Sequence, residues 1–360
     1  MFFKICNITK SETFPFSRTI VFNDYTLFLD LGWQEYNNIY FKGYCIGKSL
    51  YEKVQALDFA EDPGNYCIID LRANPSIFTD DSRAFPLFYK PTTISNHFFD
   101  NAESVWVDST VEYKDNQWHF VNYKNKQTFS NSDFISYDKC VDTICEELLY
   151  SCKNLQTNLP IRIANSHGVD SVAVQSALDY LQIKYEPVDA NSGLKNFASW
   201  GYNQIFVDHK PHVQATGFCG DELVLRNPMY CHWLLKPHNI NLIDEYNKVR
   251  DSYMLGFYQK KYKNKILSDN VYFHNIADSR SHVYNVASND FQMWHFNNVI
   301  TFTPFRNLKL AKKLLQADPD TIIKQVVHAD LSFDVIKRLN KKNIQLITHN
   351  KNNVTIISCE

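Results

Sequence analysis

The residues best suited to chemistry lie between positions 161 and 181, which read IRIANSHGVDSVAVQSALDYL. The first part alternates apolar and polar residues, the middle is small and polar, and the last part has apolar residues at helical spacing. This pattern predicts a strand, a loop and a helix. The backbone N–H groups and the positive dipole end at the start of a helix attract anions. We therefore predict an anion-binding loop for a group such as phosphate.

The side chains of this loop suit a phosphate site that includes a metal ion. Ser166 and Ser171 offer hydroxyl donors, and Gly168 lets the backbone approach a ligand closely. Asp170 alone would repel a phosphate, because both groups are negative, but it suits the site if a divalent cation lies between them. His167 either adds a donor to the phosphate or obstructs it.

A second polar segment, ATGFCGDEL at 215–223, follows about fifty residues later, after the apolar run IFV at 205–207. The order Ser-His-Gly-Val-Asp-Ser at 166–171 resembles the Ser-Gly-Gly-x-Asp-Ser pyrophosphate loop of the ATP pyrophosphatase (PP-loop) superfamily. The second segment resembles the Ser-Gly-x-Gly-x-Asp-Glu segment of asparagine synthetases and β-lactam synthetases. The two segments occur in the order that this family has.

The resemblance implies a site for ATP and Mg²⁺. In the family, the aspartates that correspond to Asp170 and Asp221 hold Mg²⁺ on the ATP phosphates. The end of the strand predicted at 183–188 lies beside the adenine in the superfamily, which points to Val188. The residues implied in ATP binding are Ser166, His167, Gly168, Asp170, Ser171, Val188, Gly217 and Glu222.

Two segments near the C-terminus add to the resemblance. Positions 301–311, TFTPFRNLKLA, resemble the family's Arg-x-Pro-Phe-Leu-Asp segment, with Asn307 in place of the aspartate. Positions 320–327, DTIIKQVV, resemble its Lys-x-x-Leu-Arg segment. The family lysine stabilises charge on the acyl-adenylate and on the intermediate formed by amine attack. The resemblance implies this catalytic role for Lys324.

The sequence predicts two domains. Residues 1–133 contain short runs rich in β-branched and aromatic residues, with one helix around 50–60, which indicates an α+β domain with an antiparallel sheet. The polar stretch 124–133 predicts a linker. Residues 134–360 predict an α/β domain with a parallel sheet and C-terminal helices. The resemblance implies an N-terminal-nucleophile (Ntn) hydrolase-like fold for the first domain and a PP-loop synthetase fold for the second.

The N-terminal domain is predicted to have no glutaminase activity. Family members that hydrolyse glutamine use a cysteine directly after the initiator methionine, and this chain has Phe2 there. Phenylalanine cannot attack a carbonyl group, and Cys6 falls within a predicted strand. We therefore expect the amine substrate to come from another source, as in the β-lactam synthetases.

Composition limits the partners. The chain has 360 residues, 44% of them hydrophobic, and a net charge of −2 at pH 7, so it has no overall attraction to nucleic acid or membranes. The N-terminus lacks the apolar core of a signal peptide, and no run approaches the ~18 apolar residues of a membrane span. We expect a cytoplasmic protein. The nine cysteines include no Cys-x-x-Cys pair and indicate buried free thiols. The sequence leaves the oligomeric state open.

These features predict an ATP-dependent, AMP-forming ligase that adenylates a small-molecule or peptide carboxylate and joins it to an amine. His167 replaces a family glycine, and Phe218 replaces the glutamate or tyrosine that assists removal of the amine proton. These departures favour one alternative, a non-catalytic relative that acts as a binding or scaffold subunit. The other alternative is a PP-loop enzyme that modifies a nucleotide base. The lack of a basic cluster disfavours a nucleic-acid substrate.

Overall fold

The structure of the protein, a computed structural model, describes residues 3–6, 18–30, 32–81, 87–96, 102–105, 109–122, 134–165, 168–189, 211–217, 220, 224–248, 299–340, 344–347 and 354–357. These residues form an N-terminal region of antiparallel sheets and a second region with a parallel sheet and helices. This arrangement confirms the mixed α and β architecture expected from the sequence. The predicted linker 124–133 lies outside the described residues.

Two antiparallel sheets form the described part of the N-terminal region. In spatial order, the six-stranded sheet consists of β10 (Glu103–Val105), β8 (Leu87–Lys90), β9 (Thr93–Ser95), β1 (Phe3–Cys6), β3 (Tyr25–Leu29) and β2 (Arg18–Phe22). The four-stranded sheet consists of β4 (Gln34–Tyr36), β5 (Ile39–Cys45), β6 (Gly64–Asp70) and β7 (Ser76–Thr79). The region also contains helix α1 (Leu50–Gln55) and a hairpin of β11 (Ser109–Lys114) and β12 (Gln117–Asn122).

The two sheets pack face to face, and α1 covers the outer face of the four-stranded sheet. Alternate residues of β6 point to opposite sides, as the strand geometry requires. Ile69 belongs to the same buried cluster as Ile5 of the six-stranded sheet. Ile68 belongs to a cluster with Val54 of α1. Because both sides of β6 are buried, its apolar residues form a continuous run and do not alternate with polar residues.

The second region is built on a parallel sheet. Its described strands lie in the order β14 (Glu186–Asp189), β13 (Ile161–Asn165), β15 (His212–Ala215) and β16 (Val299–Phe302). The chain passes from β13 to β14 on one side and then to β15 on the other side. The strand order therefore reverses between β13 and β15. In open sheets of this kind, ligands bind at the carboxyl ends of the strands where the order reverses.

The helices described in this region are α2 (Tyr137–Lys153), α3 (Val169–Tyr180), α4 (Pro228–Leu235), α5 (Leu242–Lys248), α6 (Leu308–Leu314), α7 (Pro319–Ile323) and α8 (Asp330–Leu339). A 3₁₀ turn, Lys236–His238, follows α4, and one π-helical turn, Lys324–His328, follows α7. The strands β17 (Ile344–Ile347) and β18 (Val354–Ile357) form a hairpin. None of the helices in the described ranges has the length and apolar character needed to cross a membrane.

Helix α2 shows why the cysteines belong to the core. Ser136 caps its first turn by accepting a hydrogen bond from the backbone N–H of Lys139. Cys140 and Cys152 lie on its buried face and pack into the main apolar cluster of the second region. Burial raises the pKa of the Cys140 thiol to about 12, so the thiol stays protonated near neutral pH. The cysteines of the described ranges are buried free thiols, as predicted.

Two predicted elements have different boundaries in the structure. The helix expected around 50–60 ends at Gln55, because Leu57 adopts a left-handed backbone conformation with φ of 54°. The strand expected at 183–188 is observed as β14 and is shifted toward the C-terminus. Pro187 in this strand has no N–H to donate, which is compatible with the edge position of β14 among the described strands.

Candidate functional site

Helix α3 begins at the carboxyl edge of the parallel sheet, directly after β13 and its loop. Gly168 is the N-cap, and its carbonyl oxygen accepts the backbone N–H of Val172 at 3.0 Å. Val169 and Val172 are buried in the core, so packing fixes the direction of the first turn. Asp170 and Ser171 lie in that turn. The described residues confirm the predicted strand and helix, whereas residues 166 and 167 of the loop between them lie outside the described ranges.

The two polar segments of the sequence meet at Asp170. A β-carbon added to Gly217 would lie 2.3 Å from the carbonyl carbon of Asp170 and 2.3 Å from the backbone nitrogen of Ser171. A β-carbon added to Gly220 would lie 2.3 Å from Asp170 Oδ1. Real β-carbons do not approach other atoms so closely, so a side chain at position 217 would require the backbone to move, and one at position 220 would displace the Asp170 side chain. The segment after β15 therefore encloses the first turn of α3.

Backbone hydrogen bonds hold this enclosing segment in place. The N–H of Thr216 donates to the carbonyl oxygen of Phe302 in β16 at 3.0 Å. The N–H of Gly220 donates to the carbonyl oxygen of Gly217 at 3.2 Å, and the N–H of Val224 donates to that of Gly220 at 3.1 Å. The position of Gly217 thus depends on the neighbouring strand and on a tight turn. The apolar run 205–207 that precedes the segment lies outside the described residues.

Arg226 is a site residue that the sequence did not reveal. Its Nη2 lies 2.6 Å from Oδ2 of Asp170, and its side chain is 3% exposed, against 20% for Asp170. No spacing rule in the sequence identifies the acceptor of this arginine, because the two residues are 56 positions apart. Charge-assisted hydrogen bonds of this kind are among the stronger ones in proteins.

The backbone before Arg226 is fixed from two sides. Leu225 has a left-handed conformation with φ of 55°, which is an outlier for a bulky residue and turns the chain sharply. The fully buried side chain of Gln325 donates from Nε2 to the carbonyl oxygen of Val224 at 2.8 Å. Cys231 donates from Sγ to the carbonyl oxygen of Leu225 at 3.1 Å. These contacts hold Arg226 where its guanidinium reaches Asp170.

Arg226 holds Oδ2 of Asp170, and Gly220 packs against Oδ1. Mg²⁺ prefers carboxylate oxygens, and the role of Asp170 as a metal ligand stays a prediction from the sequence. Within the described ranges, no three His, Cys, Asp or Glu side chains are grouped to hold a metal. The other predicted metal ligand, Asp221, lies outside those ranges, as do Ser166, His167, Phe218 and Glu222.

Val188 lies at the same edge of the sheet as Gly168 and Asp170. It is the third residue of β14 and pairs with Ala164 of β13, one residue before that strand ends. Its half-buried side chain is therefore beside the strand that leads into the loop. This position is compatible with the predicted nucleotide contact.

The side chain of Lys324 is exposed, and its Nζ lies 5.4 Å from the centre of the Tyr137 ring at the start of α2. The hydroxyl of Tyr137 donates to Asp334 at 2.7 Å. The catalytic role of Lys324 stays a prediction from the sequence.

Asn307, which departs from the family's aspartate, has a structural place. Its Oδ1 accepts the backbone N–H of Leu310 and caps α6, and its Nδ2 donates to the buried carboxylate of Glu147 at 3.0 Å. A carboxylate at position 307 would lie against that of Glu147, so an amide suits the place. This departure is therefore explained by packing against α2.

No protein-family model and no curated protein matches this chain.

Proposed function

We propose that this protein is an ATP-dependent, AMP-forming ligase that adenylates a carboxylate and joins it to an amine. One observation carries the proposal. Two segments about fifty residues apart, each resembling a family segment, pack against each other: Gly217 and Gly220 of the second segment lie against Asp170 of the first. They do so at the carboxyl ends of parallel strands, where the strand order reverses. This is the position at which such sheets bind nucleotides and similar ligands.

The electrostatics of the described residues favour a phosphate ligand. The N-terminus of α3 supplies backbone N–H groups and the positive end of a helix dipole. Asp170 would oppose an anion if it were alone, but Arg226 holds it at 2.6 Å and offsets its charge. The pair therefore adds no net negative charge to the site. Ser171 in the same turn is a further donor for the proposed phosphate.

The proposed cofactors are ATP and Mg²⁺. Asp170 is one proposed ligand of Mg²⁺, and Asp221 is the second. When bound, the metal offsets the negative charge that develops on the leaving pyrophosphate. The amine is proposed to come from a source other than glutamine. The role proposed for Lys324 rests on the sequence resemblance.

Two measurements test the proposal. The first is calorimetric titration of the protein with Mg·ATP, and the second is carboxylate-dependent exchange of labelled pyrophosphate into ATP, which reports adenylation without knowledge of the amine. We expect Asp170→Asn and Gly217→Ala to weaken ATP binding about tenfold or more. Asp179→Asn is a matched control, because Asp179 lies at the other end of α3 and accepts from Tyr185 at 3.1 Å. This control should bind ATP as the native protein does.

A second candidate is a non-catalytic relative that binds a nucleotide or acts as a scaffold. It is favoured by the ion pair between Arg226 and Asp170, because this contact already occupies one of the two carboxylate oxygens of a proposed metal ligand. ATP binding without exchange for any carboxylate of a broad panel would select this candidate. Failure to bind Mg·ATP at millimolar concentration, the upper end of ordinary KM values, would overturn the ligase proposal.

A further inference from the structure

The antiparallel sheets and the parallel sheet meet at one carbonyl oxygen. The oxygen of Thr301 in β16 accepts a hydrogen bond from the Tyr44 hydroxyl at 3.1 Å and another from Asn65 Nδ2 at 3.1 Å. Tyr44 and Asn65 are directly opposite each other in β5 and β6. Opposite residues of an antiparallel pair point to the same face, so both side chains reach the same acceptor. All three residues are buried.

This contact continues to the candidate site through two further steps. The Tyr44 ring packs edge-on against the Phe302 ring, with the centroids 6.0 Å apart. The carbonyl oxygen of Phe302 accepts the N–H of Thr216, which directly precedes Gly217. Gly217 in turn lies against the backbone of Asp170. A side chain of the antiparallel region is thus linked to the first turn of α3 by packing and hydrogen bonds.

Charged residues of both regions act on the Tyr44 hydroxyl. Burial raises the pKa of the Tyr44 hydroxyl well above its usual value. Asp80 of the antiparallel region raises this pKa further, whereas Arg306 of the second region lowers it. Asp80 and Arg306 are both buried and carry opposite charges. One residue from each region therefore acts on this hydroxyl.

A second contact fixes the orientation of the same strand. Ile46, directly after β5, forms an isolated antiparallel bridge with Leu155. The N–H of Gly47 donates to the carbonyl oxygen of Asn154 at 3.2 Å. Tyr44 and Ile46 also belong to the apolar core of the second region. The end of β5 is therefore held at two places by the parallel-sheet region.

We propose that Tyr44 and Asn65 are positioning residues for the candidate site: they fix β16 and, through Phe302 and Thr216, hold Gly217 against Asp170. The effect on ligand binding rests on the proposed function, whereas the effect on the backbone does not. The inference gives the antiparallel region a role that needs no nucleophile at position 2. This region acts as a support for the ATP site.

Amide hydrogen exchange tests the backbone effect in the full-length protein. Tyr44→Phe removes one hydroxyl donor and keeps the ring, and Asn65→Ala removes the other donor. We expect either change to speed exchange in peptides covering 212–217 by about fivefold, the factor that one net hydrogen bond supplies. Tyr66→Phe is the matched control. Tyr66 is equally buried, but its hydroxyl donates to Ala60 within the antiparallel region.

Calorimetric titration with Mg·ATP on the same proteins tests the effect on the site. We expect Tyr44→Phe and Asn65→Ala to weaken binding severalfold and Tyr66→Phe to leave it unchanged, even if all three lower the melting temperature. A purely structural role would lower the melting temperature without this difference. Normal exchange at 212–217 in both variants would overturn the inference. Faster exchange with native ATP affinity would overturn the link to the site.

The two proposals fail in different ways. If the native protein binds no ATP, the proposed function is wrong, and the exchange rates still decide whether Tyr44 and Asn65 hold the strand ends. If the native protein binds ATP and the exchange rates are unchanged, only the positioning role is wrong.

Discussion

Gly220 lies so close to Asp170 that a β-carbon at position 220 would be 2.3 Å from Oδ1 and 2.5 Å from Cγ. Gly217 differs, because its β-carbon would meet backbone atoms of Asp170 and Ser171, both at 2.3 Å. A side chain can turn away from a clash at the cost of its contacts. Two packed backbone segments cannot separate without moving the helix or the strand, so the two glycines are expected to respond differently to substitution.

We expect Gly217→Ala to lower the free energy of unfolding by about 2 to 3 kcal/mol, both in the native protein and in an Asp170→Ala background. Gly220→Ala should cost about 2 kcal/mol in the native protein and about 1 kcal/mol when Asp170 is alanine, because the carboxylate is gone and only the β-carbon of residue 170, at 2.9 Å, still has to shift. Urea unfolding measures all four values. Equal costs for Gly220→Ala in the two backgrounds would contradict this account.

The ion pair of Asp170 and Arg226 should show strong energetic coupling. Arg226→Met and Asp170→Asn each leave one polar group buried without the charge that offsets it, and each should lower the free energy of unfolding by about 2 kcal/mol. The double variant should lose less than the sum. Arg162 and Glu186 form the control pair at 2.8 Å, with side chains 27% and 62% exposed, and their coupling should be about 0.5 kcal/mol. Equal coupling energies in the two pairs would contradict this prediction.

Two lysines near α1 share acceptors but differ in burial. Lys53 is fully buried and lies 2.6 Å from Asp62, whereas Lys48 is 37% exposed and lies 2.8 Å from the same carboxylate. Lys53→Met should lower the free energy of unfolding by about 1.5 to 3 kcal/mol, because it removes the charge-assisted hydrogen bonds that the buried ammonium donates to Asp62 and to the carbonyl oxygen of Ala60. Lys48→Met should cost under about 1 kcal/mol. Thermal and urea unfolding of the two variants compare the effects directly.

Glu147 should contribute to acid sensitivity. Burial opposes its ionisation, but hydrogen bonds from Lys309, Lys313 and Asn307 together outweigh burial and lower its pKa. A carboxyl with a lowered pKa stabilises the fold above its ordinary pKa of about 4.3. This contribution is lost as the pH falls through the folded-state pKa.

Glu147→Gln should therefore be less stable than the native protein near neutral pH. It should lose less additional stability than the native protein when the pH falls from about 5 to about 3. Urea unfolding over this range measures the difference. The control is Glu146→Gln, because Glu146 lies next to Glu147 on the exposed side of α2. If Glu147→Gln loses as much stability as the native protein over this pH range, another group dominates the acid sensitivity.

Periodicity in the sequence predicted β13 and α3, but not β15 and β16, the strands that position Thr216 and Gly217. The alternation in 161–165 and the apolar spacing after Gly168 correspond to β13 and α3, because local burial determines both patterns. The two helix and strand boundaries that differ depend on Leu57 and on the pairing of β14. Backbone conformation at one residue and pairing with a distant strand have weak local signals.

The contacts of the site were harder to predict because they are long-range. Arg226 and Asp170 are 56 residues apart, and no local pattern relates them. Gln325, next to the predicted Lys324, proved to be the buried residue that holds Val224. A residue type shows which interactions a side chain can make, but the fold decides which neighbour receives them.

The hydrogen bonds of Tyr44 and Asn65 to Thr301 join residues 257 and 236 positions apart. Synthesis at ~5–20 residues per second separates the appearance of these groups by roughly ten seconds to a minute. During that time the nascent antiparallel sheets have no β16 to pack against. A ribosome that stalls before position 299 therefore carries a sheet whose future interface faces water. Chaperones that bind exposed apolar surface would bind the nascent chain during this interval.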